Sequence, residues 1–141
     1  MDLADIIGFS RYGGSMAWEI ELEYVKGWLN EQDVETQLGI YAALEVLAQQ
    51  GPALGRPLVD TLSHTKVKNL KELRPATSEG SEVRMLFAFD PRRKAIVLVA
   101  GDKAQGKRGR LRWGGWYRKA IPLAERRYMD HLNHLGGLHE S

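Results

Sequence analysis

The chain reads as an α+β domain: a small antiparallel sheet of about four strands, packed by two N-terminal helices and one C-terminal helix. Three patterns predict it. From Trp18 to Tyr24 apolar residues alternate with glutamates, the period of two that marks a half-buried strand. Val34, Leu38, Tyr41, Leu44, Leu47 and Ala48 recur at helical spacing, as do Ile121, Ala124, Tyr128, Leu132 and Leu135 near the other end. Between these helices lie three strand-like runs separated by short turns, which implies an antiparallel meander.

Taken in order, residues 1–15 read as a mobile extension, because Gly8, Gly13, Gly14 and Ser15 break any pattern. A single domain then spans residues 16–141. After the first strand, Val25 to Asn30 suits a short helix, and Asp33 offers an N-cap for a longer one that Gly51-Pro52 ends. Residues 51–65 read as a connecting loop. Strands are predicted over Val67–Arg74, Glu82–Phe89 and Lys94–Ala100, with Pro75, Asp90-Pro91 and Gly101 as their stops. The run Ala95-Ile96-Val97-Leu98-Val99-Ala100 is apolar on both faces and should be covered on both. Residues 102–115 read as a Gly- and Arg-rich loop, and Pro122 fits the first turn of the last helix.

Composition excludes several chemistries. The 141 residues include no cysteine, so disulfides, thiolate zinc sites and cysteine nucleophiles are out. No apolar run approaches the roughly 20 residues of a membrane span. The start Met1-Asp2-Leu3-Ala4-Asp5 does not resemble a secretion signal, so a cytoplasmic protein is expected. No P-loop, GxSxG elbow or dinucleotide fingerprint is present. His64 stands alone, and His131 and His134 read as a surface pair lacking a third ligand. Neither a metal nor a cofactor is expected.

Charge is strongly segregated. Residues 1–60 hold three Lys or Arg against ten Asp or Glu, a net of −7, whereas residues 61–141 hold 17 against eight, a net of +9. If folding keeps the halves apart, the positive pole suits a polyanion; if it mixes them, the surface is near neutral.

The candidate functional residues fall in that basic half. Alternation along the strand predicted from Val67 places Lys68, Leu70, Glu72 and Arg74 on one face. Arg84, between Val83 and Met85 in an apolar strand, should point away from the core and lie beside Arg74 across the hairpin. Like charges there cost energy unless an anion or Glu72 sits between them. The plainer account is a surface Glu72–Arg84 pair of little energetic weight. From Asp102 to Lys119, the cations Lys103, Lys107, Arg108, Arg110, Arg112, Arg118 and Lys119 are interleaved with Trp113, Trp116 and Tyr117. Arginines neutralise phosphates and aromatic rings stack unpaired bases, so this segment suits RNA. Trp116 is expected in the core; Tyr117 and the arginines are expected on the ligand. The triplet Arg92-Arg93-Lys94 reads as a solvated turn.

Several segments together resemble the RelE/HigB superfamily of bacterial type II toxins, particularly its phage-derived HigB-like branch. They are Leu54–Asp60, Asn69-Leu70-Lys71-Glu72-Leu73-Arg74, Val83-Arg84-Met85-Leu86-Phe87, Val99-Ala100-Gly101-Asp102-Lys103 and Trp116–Pro122. The resemblance implies a RelE-like fold. It also implies a toxin that cleaves messenger RNA, usually in the ribosomal A site, and is silenced by a helix-turn-helix antitoxin. Arg74 and Arg84 match the family's strand arginines, Lys103 the basic residue after the last strand, and Tyr117 a tyrosine near the last helix. These four are the expected catalytic residues, with Lys68, Lys107, Arg108, Arg110, Arg112, Arg118 and Lys119 as RNA contacts. Glu72 stands where RelE itself has a lysine, and the Gly106–Gly115 stretch is longer than usual. Two other readings fit the same residues: a gyrase-inhibiting toxin of this fold, as in the ParE branch, and a non-catalytic RNA-binding module.

Overall fold

A computed structural model of the chain describes residues 18–77, 80–104 and 110–140, with the backbone alone at 110–114 and 137–140. The extension expected at 1–15 lies outside the described residues. The fold is α+β, as predicted, with a mixed sheet of five strands. Its strands are β1 (Glu19–Glu21), β2 (Val59–Thr61), β3 (Lys71–Leu73), β4 (Val83–Phe89) and β5 (Lys94–Asp102), in the order β1-β5-β4-β3-β2. Its helices are α1 (Lys26–Asn30), α2 (Val34–Gln50) and α3 (Arg110–Glu140).

Local chemistry explains most boundaries. Asp33 caps α2 by accepting the Thr36 N–H at 2.7 Å, an interaction that typically contributes about 1 kcal/mol. Gly51 ends that helix with φ +58, a conformation open to glycine at little steric cost. Asp90 folds the tight β4–β5 turn, its Oδ1 accepting the N–H groups of Arg92 and Lys94 at 2.9 Å each.

Three sequence expectations change. The segment 51–65 is not only a loop. It contains β2, which pairs antiparallel with β3 through Val59 and Leu73, Asp60 and Glu72, and Thr61 and Lys71. Three residues are too few to show a period, and the Pro and Gly around them masked the strand. The strand expected over Val67–Arg74 shrinks to Lys71–Leu73, because Asn69 adopts φ +63 and the Leu70 N–H turns back to the Val67 carbonyl. Finally, β1 runs parallel to β5, with Glu19, Ile20 and Glu21 opposite Lys94, Ala95 and Ile96. The sheet is therefore mixed, not purely antiparallel.

Both faces of the sheet are covered. On one, Leu73, Val83, Met85, Phe87, Ala95 and Val97 pack with Leu29, Ile40, Leu44 and Leu47 of α1 and α2. On the other, Leu70, Leu86, Ala88, Ile96, Leu98 and Val99 pack with Ala120 and Ala124 of α3. A register shift between Leu86 and Phe87 brings Val99 and Val97, not consecutive residues, opposite them. This irregularity lets Leu98 and Val99 both join the α3 side. Helix α2, which carries Glu35 and Glu45 and no lysine or arginine, and the more basic α3 thus lie on opposite faces.

Pro122 lies inside α3 rather than in its first turn. An interior proline costs about 3 kcal/mol or more. Trp116, Tyr117 and Ala120 precede it and pack into the second core, and burying aromatic surface offsets such a cost. The helix therefore begins well before the proline and takes over part of the expected loop at 102–115. Among the described residues, no helix is long and apolar enough to cross a membrane.

Trp116 turns the Nε1 edge of its indole to β5 at Gly101, where an added Cβ would come 2.5 Å from Nε1. Gly101→Ala should force the indole away and lower stability by about 1–3 kcal/mol. Urea unfolding followed by tryptophan fluorescence checks this; an unchanged midpoint would contradict the packing.

Candidate active site

The sheet's second face is apolar under most of α3 but turns polar toward the start of β4 and the end of β5. Alternation along β3 carries Glu72 onto this face, between Leu70 and Arg74, and alternation along β4 carries Arg84 there beside Leu86. Glu72 is 1% exposed. Its Oε1 accepts the Tyr117 hydroxyl at 2.8 Å and the Arg74 Nε–H at 3.1 Å. Arg84 Nε lies 3.0 Å from the same oxygen. That contact is an ion pair without hydrogen-bond alignment, for Arg84 Nε has no hydrogen-bond acceptor among the described residues. Glu72 Oε2 likewise has no hydrogen-bond partner there.

The guanidiniums are anchored at their other edges too. Arg74 Nη2 donates to Asp60 Oδ2 at 3.2 Å, and Arg56 Nη2 reaches the same oxygen at 2.9 Å. Arg84 Nη1 donates to the Val83 carbonyl at 2.8 Å, and its Nη2 stands 3.8 Å from Glu82 Oε1. Arg74 keeps about a third of its side chain in solvent and Arg84 about a seventh, at 34% and 15%.

Lys103 follows β5 in a turn that Asp102 shapes, its Oδ1 accepting the N–H groups of Glu82 and Ala104 at 2.9 Å. The Lys103 N–H bonds the Glu82 carbonyl at 3.0 Å, and its Nζ sits 5.5 Å from the centre of the Tyr117 ring. Partial burial, then the neighbouring Arg84 charge, pulls the Lys103 pKa below the ordinary lysine value. Burial, then the hydrogen bond to Glu72, pushes the Tyr117 hydroxyl far above the ordinary tyrosine value. Tyr117 is thus a firmly protonated donor, and Lys103 is the group tuned toward proton exchange.

Arg74, Arg84, Lys103 and Tyr117, singled out by pattern and resemblance, therefore meet at one place. Arg84 points away from the α1–α2 core, as expected, but enters the margin of the second core, since that face is covered as well. The expected RNA contacts are more dispersed. Lys68 is exposed in the turn before β3 and belongs to no strand, a correction that follows from the left-handed Asn69. Arg118 and Lys119 are exposed on α3 just after Tyr117. Lys107 and Arg108 lie outside the described residues; Arg110 and Arg112 begin α3, with side chains outside them. Tyr117 is half-buried against Glu72, and Trp116 packs on Gly101 as a core residue should.

Sequence reasoning placed Glu72 either between the two arginines or in a surface pair with Arg84, and did not foresee its burial. The available signal was its place between Leu70 and Leu73, both fully buried. His131 is a second correction. It is no surface partner of His134: its Nε2 lies 2.8 Å from Oδ2 of Asp90, a carboxylate with no exposed side-chain surface. This pair ties α3 to the β4–β5 turn, at the opposite end of the sheet from Glu72.

Arg74, Arg84 and Lys103 bring three positive charges to one buried carboxylate, with Asp60 and Glu82 at the rim. Such an arrangement is suited to an anion with several oxygens, and guanidiniums offer it paired donors.

Comparison with known proteins bears on what that anion is. Residues 27–129, which include all of these side chains, match the family described as "Phage derived protein Gp49-like (DUF891)". The chain is 48% identical over 118 residues to a protein of Mycobacterium tuberculosis named as the toxin HigB2, covering 84% of this chain and 56% of that protein. It is 40% identical over 120 residues to another from the same organism, named as the toxin HigB3, covering 84% and 97%. The chain thus spans little more than half the length of the first relative and nearly all of the second. No solved structure gives a significant match.

The environment of Lys103 has a direct consequence. Its amine should titrate below the usual lysine value of about 10.4, so at pH 9 it should acylate faster than the exposed Lys68 or Lys119. Mass spectrometry after brief treatment with an acylating reagent reads the order; Lys103 reacting last at every pH would contradict it.

Proposed function

Because the chain belongs to the phage-derived Gp49-like family of HigB-like toxins, we propose that it is the toxin of a toxin–antitoxin pair and cleaves messenger RNA on the ribosome, without a metal. The observation that carries this reading is the meeting of Arg74, Arg84, Lys103 and Tyr117 around Glu72. RNA can be cut by its own 2′-hydroxyl, which attacks the adjacent phosphorus as the bond to the 5′ oxygen breaks. The reaction needs charge stabilisation at the phosphorane and a proton for the leaving oxygen. Arg74 and Arg84 supply the first, and donors of this kind are typically worth about 100-fold or more in rate. Lys103, its pKa lowered toward the working range, supplies the second as an ammonium. Tyr117, held protonated, is a fixed donor rather than a base.

Nothing in this group is a strong base for the 2′-hydroxyl, so its proton passes to solvent water or to a group of the ribosome as the new P–O bond forms. The reading therefore assigns in-line orientation to the ribosome, since correct placement alone can supply several orders of magnitude. The exposed Arg118 and Lys119, beside Tyr117 on α3, extend the positive surface along which the RNA backbone runs. Under this reading the protein works in the cytoplasm, and a helix-turn-helix antitoxin silences it.

Arg84→Ala should abolish growth arrest and lower cleavage of ribosome-bound message by about 100-fold or more. Thermal melting accompanies the assay, because removing one partner of a buried ion pair also destabilises. Arg84→Lys, which keeps the charge but not the fork, should recover only part of the activity. Full toxicity of Arg84→Ala would overturn the reading. So would DNA damage in place of message cleavage, or salt-sensitive RNA binding with no cleavage when ribosomes are present.

A further inference from the structure

We propose that Glu72 is a positioning residue that weakens ground-state RNA binding while aligning the groups that act on the phosphate. The proposal rests on the nuclease reading above and assigns a role to the buried carboxylate at the centre of that cluster.

Stability alone does not account for Glu72. A carboxylate that is 1% exposed, with one oxygen unpartnered among the described residues, sits at a position flanked by Leu70 and Leu73. Apolar replacement of a buried ion pair is often neutral or stabilising, and a half-satisfied buried carboxylate is costly. What Glu72 does supply is a fixed point. One oxygen meets Tyr117 at 2.8 Å, Arg74 Nε at 3.1 Å and Arg84 Nε at 3.0 Å, groups carried by a helix, a strand end and a second strand. Both arginines turn their Nε edge inward to Glu72, and among the described residues their Nη groups meet rim carboxylates and a backbone carbonyl. Those Nη groups are the ones a phosphate can engage in a forked pair. The Tyr117 proton is likewise committed to Glu72, which leaves its oxygen lone pairs at a set angle.

The same carboxylate opposes the substrate. A negative charge directly behind the guanidiniums repels an arriving phosphate and cancels part of their attraction. Alignment is thus obtained at the expense of affinity, and the two effects separate kinetically. An interaction that merely holds the fold together would shift KM and kcat in the same unfavourable direction, or lower the amount of folded protein.

The test uses the full chain. Glu72→Gln keeps the shape and removes the charge. Its Kd for a short 2′-O-methyl RNA, which lacks the attacking hydroxyl, should fall about fivefold, allowing for salt screening. Its kcat on ribosome-bound message should fall about 100-fold. Glu72→Asp keeps the charge but withdraws the oxygen, so kcat should fall with KM unchanged; it carries the test if melting shows that Glu72→Gln does not fold. Unchanged or weaker RNA binding by Glu72→Gln, unaltered kcat, or a parallel rise of KM in Glu72→Asp would each overturn the proposal. If the wild-type protein leaves ribosome-bound message intact, the nuclease reading fails separately. Binding of the 2′-O-methyl RNA then still decides the charge effect: tightening by Glu72→Gln supports it, and no tightening overturns it.

Discussion

A sheet that is apolar on both faces must be covered on both, and the rest of this molecule follows from that constraint. The alternation in β4 sends Val83, Met85 and Phe87 to one side and Leu86 and Ala88 to the other. Helices α1 and α2 cover the first side, so α3 has to cover the second. That obligation extends α3 back through Trp116 and Tyr117 despite Pro122, and it brings the Tyr117 hydroxyl down to Glu72. Had the second face been left to solvent, Glu72, Arg84 and Tyr117 would form ordinary hydrated pairs of small energetic consequence.

Burial changes the chemistry of the same residue types. In water, a lysine and a tyrosine are poor proton-transfer groups near neutrality, since both titrate near pH 10. Beneath α3 they separate: Lys103 moves down under burial and the Arg84 charge, and Tyr117 moves up under burial and its bond to Glu72. One becomes easier to deprotonate and the other harder. Separation of this sort distinguishes a chemically differentiated cluster from a patch of surface charge. The layered fold also puts α2, with Glu35 and Glu45, on the far side of the sheet from this cluster, while Asp60 of the acidic half reaches Arg74 at its rim.

Much of this was legible along the chain. Helix α2 and its Asp33 cap, strands β4 and β5, and the turn at Asp90 all rest on contacts within a few residues, which periodicity and capping rules detect. Arg74 and Arg84 could be placed side by side because strands consecutive in the chain tend to pair, as β3 and β4 do through Leu73 and Met85. Strand β2 escaped because its three residues form a strand only through pairing with β3. The parallel pairing of β1 joins residues more than 70 positions apart in number, Glu19 and Lys94, and no local pattern encodes it.

The sequence by itself determined most element types, β2 and the first turns of α3 excepted, with the basic character of the C-terminal half and the identity of the cationic residues, since these depend on composition and on neighbours within a turn or two. Only the tertiary structure decided that Glu72 is buried, that His131 meets Asp90, and that α3 runs through Pro122. Each of those outcomes depends on which surface of one element faces another. That choice is made by the total apolar area two distant segments can hide from water, a quantity that no single stretch of chain contains.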